Sequence, residues 1–173
     1  MTLPLAPDRP PPHWVDTAAG CLAHRGLAAD LVARAKFHHG LALLERLGGG
    51  LAPLVAAVAA DDAVITWAPT TTRHRRQRGF DQSEVLARAA AARLHPPVPV
   101  QATLRRSNRT TQTGRRRVER LAGPQFIAAA PVPERVVVVD DVWTTGSTLS
   151  AAADALRRGG AHHVAAVVLA VRP

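Results

Sequence analysis

The sequence has one cysteine, one methionine, no tyrosine and only 3% aromatic residues. A lone Cys21 cannot close an internal disulfide, so no disulfide framework is expected and a reducing, cytoplasmic location is. Cys21 and His24 have the spacing of half a zinc site, with His13 nearby. A closed structural site needs four ligands, usually led by thiolates, so no metal held by protein zinc ligands is expected and Cys21 reads as a free thiol. Scarce aromatics leave few platforms for stacking nucleic-acid bases, Phe80 alone lying between the arginine clusters. Apolar runs are short as well. The longest, around residues 51–60 and 164–171, fall far below the roughly 20 residues a membrane helix needs, and the first thirty residues combine no basic start, apolar core and small-residue cleavage site. No membrane partner is expected.

What is present is enough apolar material for one core: 173 residues, 47% hydrophobic and 20% charged. The net charge of +9 is unevenly placed. Residues 73–120 carry thirteen arginines against Asp81, Glu84 and Glu119, a local charge of +10, so the rest of the chain carries −1. Lys36 is the one lysine. Arginine suits bidentate contacts to phosphate, whereas an isolated charge run is ordinarily a solvated face.

Five prolines (Pro4, Pro7, Pro10, Pro11, Pro12) fall in the first twelve residues, which reads as an extended arm, and residues 1–26 are taken as a Pro-rich arm before a domain at 27–173. Helical spacing runs from Leu27 through Leu31, Val32 and Ala35. A second helical stretch at 41–60 is expected to break at Gly48-Gly49-Gly50. Ala63 to Ala68 reads as a buried strand ending at Pro69, and Asp81 to Leu94 as a helix with Asp81 and Glu84 in a capping box. Val98 to Leu104 is a weaker strand candidate. Residues 105–123 lack apolar periodicity and read as a long loop. Arg135 to Val139 and Val164 to Val171 are continuous apolar strands flanking a helix from Thr148 to Arg158. That pattern means a parallel β-α-β unit covered on both faces. The fold class is α/β, an open, mostly parallel sheet flanked by helices, with an N-terminal helical segment.

The strand at 136–139 runs into Asp140-Asp141-Val142-Trp143-Thr144-Thr145-Gly146-Ser147-Thr148, at the carboxyl end of a parallel strand, where ligands of open α/β sheets bind. Backbone N–H groups, hydroxyls and a helix N-terminus suit a phosphate, and Gly146 permits close backbone approach. The carboxylates suit ribose hydroxyls or a Mg²⁺ ion carried in with a substrate. Taken singly, such hydroxyls are ordinary caps and such an Asp an ordinary turn residue. Two carboxylates ending an apolar strand, however, repel each other without a cation or a hydroxyl-rich partner.

VVVVDDVWTTGSTL resembles the phosphoribosyl-diphosphate (PRPP) binding motif of the type I phosphoribosyltransferases. APTTTRHRRQRGFDQSEVLARAAA and LRRSNRTTQTGRRRVER resemble two stretches of the ComF (competence protein F) family of that superfamily, and the ordered likeness spans roughly residues 30 to 172. The resemblance implies a type I phosphoribosyltransferase-like fold. It assigns Asp140 and Asp141 to the ribose hydroxyls, and Val142, Thr144, Thr145, Gly146, Ser147 and Thr148 to the phosphate loop. It places Thr70, Thr71 and Thr72 in a diphosphate loop, with Arg78 beside it. Residues 105–123 match a mobile hood whose Arg105, Arg106, Arg116 and Arg117 would meet the diphosphate and stabilise leaving-group charge. The chain departs from the family pattern in three places. The N-terminal four-cysteine zinc finger is reduced to Cys21, Asp81 replaces the Asn of Arg-Gly-Phe-Asn-Gln, and the segment after Arg120 is about two residues shorter and lacks an Asn before Phe126.

Two functions follow from the resemblance and stay open at the level of sequence. One is a PRPP-dependent phosphoribosyltransferase using Mg²⁺·PRPP or a related ribose phosphate, with no acceptor-recognition element visible. The other is a non-catalytic competence protein that binds single-stranded DNA and a helicase partner during DNA uptake. Self-association into a homo-oligomer is compatible with either.

Overall fold

Val136 to Val139 has no polar side to give to water, so this strand must be covered on both faces. In the computed structural model, which describes residues 5–35, 40–107, 124–129 and 131–172, it lies near the middle of a sheet. The elements are β1 (Thr17–Ala23), α1 (Gly26–Ala35), α2 (Leu41–Gly49), α3 (Ala52–Val58), β2 (Val64–Trp67), α4 (Thr72–Arg78), α5 (Gln82–Ala91), β3 (Leu104–Arg106), β4 (Phe126–Ala128), β5 (Arg135–Trp143), α6 (Ser147–Arg158) and β6 (His163–Val171). The main sheet has the order β1-β6-β5-β2, every pair parallel. Beyond β2, the chain at Pro99 to Gln101 brackets Ile65 with two backbone hydrogen bonds and extends that edge. β3 and β4 form a separate antiparallel ribbon.

Alternation along β5 divides the interior into two cores. Val137 and Val139 pack with Ala165, Val167 and Leu169 of β6 and with residues of α1, α2, α3 and α5. Val136 and Val138 pack with Val164, Ala166 and Val168 and with Leu149, Ala152, Ala153 and Leu156 of α6. The α/β class, the parallel β-α-β unit and its two covered faces therefore match the reading from sequence.

Several boundaries differ, each for a local reason. The expected arm at residues 1–26 holds a strand: Thr17 to Ala23 pairs in register with Ala165 to Val171. Asp16 fastens its start, accepting from Arg157 Nη2 at 2.7 Å and from the backbone N–H of Val164 at 2.8 Å. Hydrogen bonding to an existing sheet edge outweighs a composition with little apolar alternation. The polar segment from Thr70 to Gly79 contains α4, which buries no residue and ends at Gly79 with φ +83°. Local bonds and the Thr71 cap stabilise it where no apolar stripe could announce it. Leu104 to Arg106 is a strand, so Arg105 and Arg106 leave the expected loop and join the ribbon. Residues 108–123, with Arg116 and Arg117, and Lys36 lie outside the described residues.

The glycine triplet does break the helix, although Gly48 and Gly49 remain within α2 and the break falls at Gly50. The close approach of α2 to α5 requires Gly48: a Cβ there would lie 2.8 Å from the Ala89 Cβ and 3.0 Å from the Leu86 backbone. Gly48→Val is expected to lower stability by about 1–3 kcal/mol, the range for overpacking a filled core, read from chemical denaturation. Unchanged stability would show that α2 and α5 can part at no cost.

Candidate active site

Two strand carboxyl ends and one helix amino end meet here. β2 delivers Pro69 to Thr72, β5 delivers Asp140 to Thr144, and the start of α5 packs between them. Asp81, Gln82 and Ser83, the first residues at that helix start, are 2%, 4% and 5% exposed. Asp81 caps α5, its Oδ1 accepting from the N–H groups of Ser83 at 3.2 Å and Glu84 at 3.4 Å. Its Oδ2 accepts from the Thr70 N–H at 2.8 Å, tying the β2 loop to the helix. All three partners are donors, so a carboxylate serves this position with both oxygens. Burial raises the Asp81 pKa, while the bonds from Thr70 and Glu84 pull it back. The expected capping box is half formed, since Glu84 pairs outward with Arg88 and Arg75.

Ser83 was not legible as a site residue. Its hydroxyl donates to Asp140 Oδ1 at 2.8 Å, and the Asp141 N–H donates to the same oxygen at 2.9 Å. Asp140 is 7% exposed, and its pKa is raised to about 7, first by burial and then by the neighbouring Asp141 carboxylate. Ser83 and the Asp141 N–H act in the opposite direction by favouring the anion. Asp140 and Asp141 fall within β5, one element earlier than the loop reading placed them. The face alternation also slips there, because Val139 and Val142 both turn to the α5 side and Trp143 to the α6 side.

On the phosphate-loop side, Thr144, Thr145 and Ser147 are exposed around Gly146, whose φ is +84°. Thr145 Oγ1 accepts from the Ser147 N–H at 3.3 Å and lies 3.1 Å from Ser147 Oγ. Beyond the Thr145 hydroxyl that accepts from the Ser147 N–H, no side-chain cap is made at Gly146, and the positive end of this twelve-residue helix lies beside three hydroxyls. The Trp143 indole N–H is buried without a partner and lies 3.1 Å from where a Gly146 Cβ would stand. The N-terminal arm closes over this turn: Arg9 stacks on the Trp143 ring at 4.8 Å and donates to the Thr144 carbonyl at 2.8 Å, and Pro12 packs on Gly146.

The remaining expected residues divide. Thr70 and Thr71 lie at the β2 exit, while Thr72 begins α4 with its side chain exposed. Arg78 donates to Gln82 Oε1 at 2.6 Å. Arg106 donates to the Pro69 carbonyl at 3.4 Å, and burial lowers its pKa against the attraction of Asp140 and Asp81. Arg105 is exposed on the ribbon. Gln82 Nε2 is buried with no partner, and such an unmade bond costs about 1–3 kcal/mol. Among the described residues no three His, Cys, Asp or Glu side chains converge on a point that could hold a metal. Cys21 is half-buried on β1, and burial pushes its thiol pKa up. No single helix among the described residues is long and apolar enough to cross a membrane.

The raised Asp140 carboxyl sets a pH dependence. Between its ordinary value near 4 and about 7, the folded protein keeps a proton that the unfolded chain releases, so stability falls as pH rises through this window. Thermal melts of the wild type and Asp140→Asn at pH 5 and pH 8 are expected to show a smaller drop for the variant. Parallel drops would mean that Asp140 ionises as a solvent-exposed carboxylate does.

Comparison with known proteins follows this geometry. No curated protein matches the sequence. Among solved structures, the allosteric regulatory enzyme of purine biosynthesis superposes with a TM-score of 0.48 at 23% identity, over 72% of this chain and 25% of that one. A purine phosphoribosyltransferase from Pyrococcus horikoshii Ot3 superposes with a TM-score of 0.35 at 19% identity, over 90% of this chain and 79% of that one. This chain thus spans a quarter of the first protein's length. The phosphoribosyl transferase domain family matches residues 81–173, from the Asp81 cap of α5 through both carboxylates and the Gly146 turn to the end of the chain. A match over more than half of the sequence, covering α5, β5 and the Gly146 turn, makes this chain a member of the phosphoribosyl transferase domain family.

Proposed function

We propose that this protein binds phosphoribosyl diphosphate, or a related ribose phosphate, with the 5′-phosphate at Thr144 to Thr148 and the ribose hydroxyls on Asp140 and Asp141. The observation that carries this reading is the pairing of an α6 start ringed by exposed hydroxyls with a buried carboxylate, Asp140, on the strand that leads into it. A phosphate monoester accepts from the N–H groups and hydroxyls of the turn, while ribose hydroxyls donate to carboxylate oxygens, so one ligand answers both halves. The diphosphate end then falls toward Thr70, Thr71 and the Arg78 and Arg106 guanidinium groups. A Mg²⁺ ion bound to the diphosphate oxygens would supply charge neutralisation of the leaving group. The adjacent Asp140 and Asp141 carboxylates, whose mutual repulsion helps raise Asp140, fit a ligand that brings positive charge and hydroxyls. Phosphoribosyl transfer to an acceptor is the reaction such a complex would support, and the motifs quoted above favour the ComF type.

A second reading, single-stranded DNA binding, has its own support in α4. Arg73, Arg75 and Arg76 are exposed on a helix that buries nothing, beside the proposed diphosphate loop.

Calorimetry with Mg²⁺·PRPP is expected to show binding that weakens at least tenfold in the Asp140→Asn, Asp141→Asn double variant, since bonds to charged groups contribute about 1.5–3 kcal/mol each. Binding indifferent to that change would remove the ribose assignment. For DNA, replacing Arg73, Arg75 and Arg76 with Ala is expected to reduce the slope of log affinity against log salt by about two. An unaltered slope would make α4 a solvated face.

A further inference from the structure

We propose that Gln82 is a substrate-binding residue whose carboxamide N–H groups donate to the diphosphate oxygens of the bound ligand, a role that rests on the PRPP reading above. The Gln82 orientation follows from chemistry. Arg78 has only donors to offer, so the atom it contacts at 2.6 Å must be the carbonyl Oε1, and the amide nitrogen must face the other way. That nitrogen is buried and has no partner. Gln82 itself is 4% exposed, an uncommon place for an amide with two unused donors.

The neighbours on either side define what lies there. Asp81, one residue before, holds the Thr70 N–H at the exit of β2. Ser83, one residue after, holds Asp140 in the last half of β5. Gln82 therefore starts α5 between the two strand segments proposed to hold the diphosphate and the ribose. Arg106, bonded to the Pro69 carbonyl and attracted by both Asp81 and Asp140, adds a cation to the same locality. Arg78 on the carbonyl oxygen, Arg106 near the carboxylates of Asp81 and Asp140, and two unused amide donors together call for an oxygen-rich anion. The diphosphate is the part of the proposed ligand that answers this, because the 5′-phosphate is served by the α6 turn and the hydroxyls by the carboxylates.

The test compares two ligands that share the ribose 5-phosphate half. Calorimetry with Mg²⁺·PRPP and with ribose 5-phosphate is run on the wild type, Gln82→Met and Gln82→Glu, alongside thermal melts without ligand. Gln82→Met removes the donors at similar volume. Gln82→Glu keeps an oxygen for Arg78 while turning the donors into a negative charge. Both variants are expected to bind PRPP at least tenfold more weakly while holding ribose 5-phosphate within twofold of the wild type, and Gln82→Met is expected to melt no lower than the wild type. PRPP affinity unchanged in Gln82→Met, or equal losses for both ligands, would overturn the assignment. A wild type that binds neither ligand would overturn the reading of the whole site and this assignment with it. A wild type that binds ribose 5-phosphate and PRPP equally would leave the site reading standing and remove the diphosphate contact.

Discussion

A carboxyl group withdrawn from water in the last half of β5 organises this edge of the molecule. Asp140 follows the apolar run within β5, and the cost of burying its charge falls on whatever surrounds it. One surrounding group is the Ser83 hydroxyl, which comes from a different element, so the position of α5 and the ionisation of Asp140 are linked. The same helix start carries Asp81, which binds the β2 exit through Thr70. The β2 exit and the last half of β5, distant in sequence, are thereby held in a fixed relation through a single turn of helix.

The second organising contact is the N-terminal arm. Its prolines resist helix and inner-strand geometry, and the arm instead bridges to β1 at Leu5 and Ala6 and turns at Pro12, whose carbonyl accepts from the Val15 N–H. Val15 enters the α6-side core, Asp16 pairs with Arg157 of α6, and Arg9 reaches the Thr144 carbonyl. These contacts join the beginning of the chain to the turn proposed to hold phosphate. They also explain why Trp143 is 4% exposed although it stands beside a polar turn: the sheet covers one side and Arg9 the other.

Charge follows the same division. Within the arginine-rich segment, Arg75 and Arg88 are partly answered by Glu84, while Arg78 and Arg106 turn toward Gln82, Pro69 and the carboxylates. Arg73 and Arg76 remain exposed on α4. Among the described residues of this basic stretch, the fold separates arginines that turn toward the site from arginines that face solvent.

The sequence by itself determined the α/β class and the covered parallel strands, because a run such as Val136 to Val139 has no polar face and so permits few arrangements. It also marked the carboxylate pair and the Gly146 turn, since adjacent charges after an apolar strand and a glycine before a helix leave local signatures. It could not show α4, which has no apolar stripe, or β1, whose stability comes from a sheet edge contributed by residues almost 150 positions away. Nor could it separate Ser83 and Gln82 from the ordinary polar residues of a helix start. Only the tertiary structure decided that one reaches Asp140 and that the other is buried with its amide unanswered, because burial and partnership arise where distant segments meet.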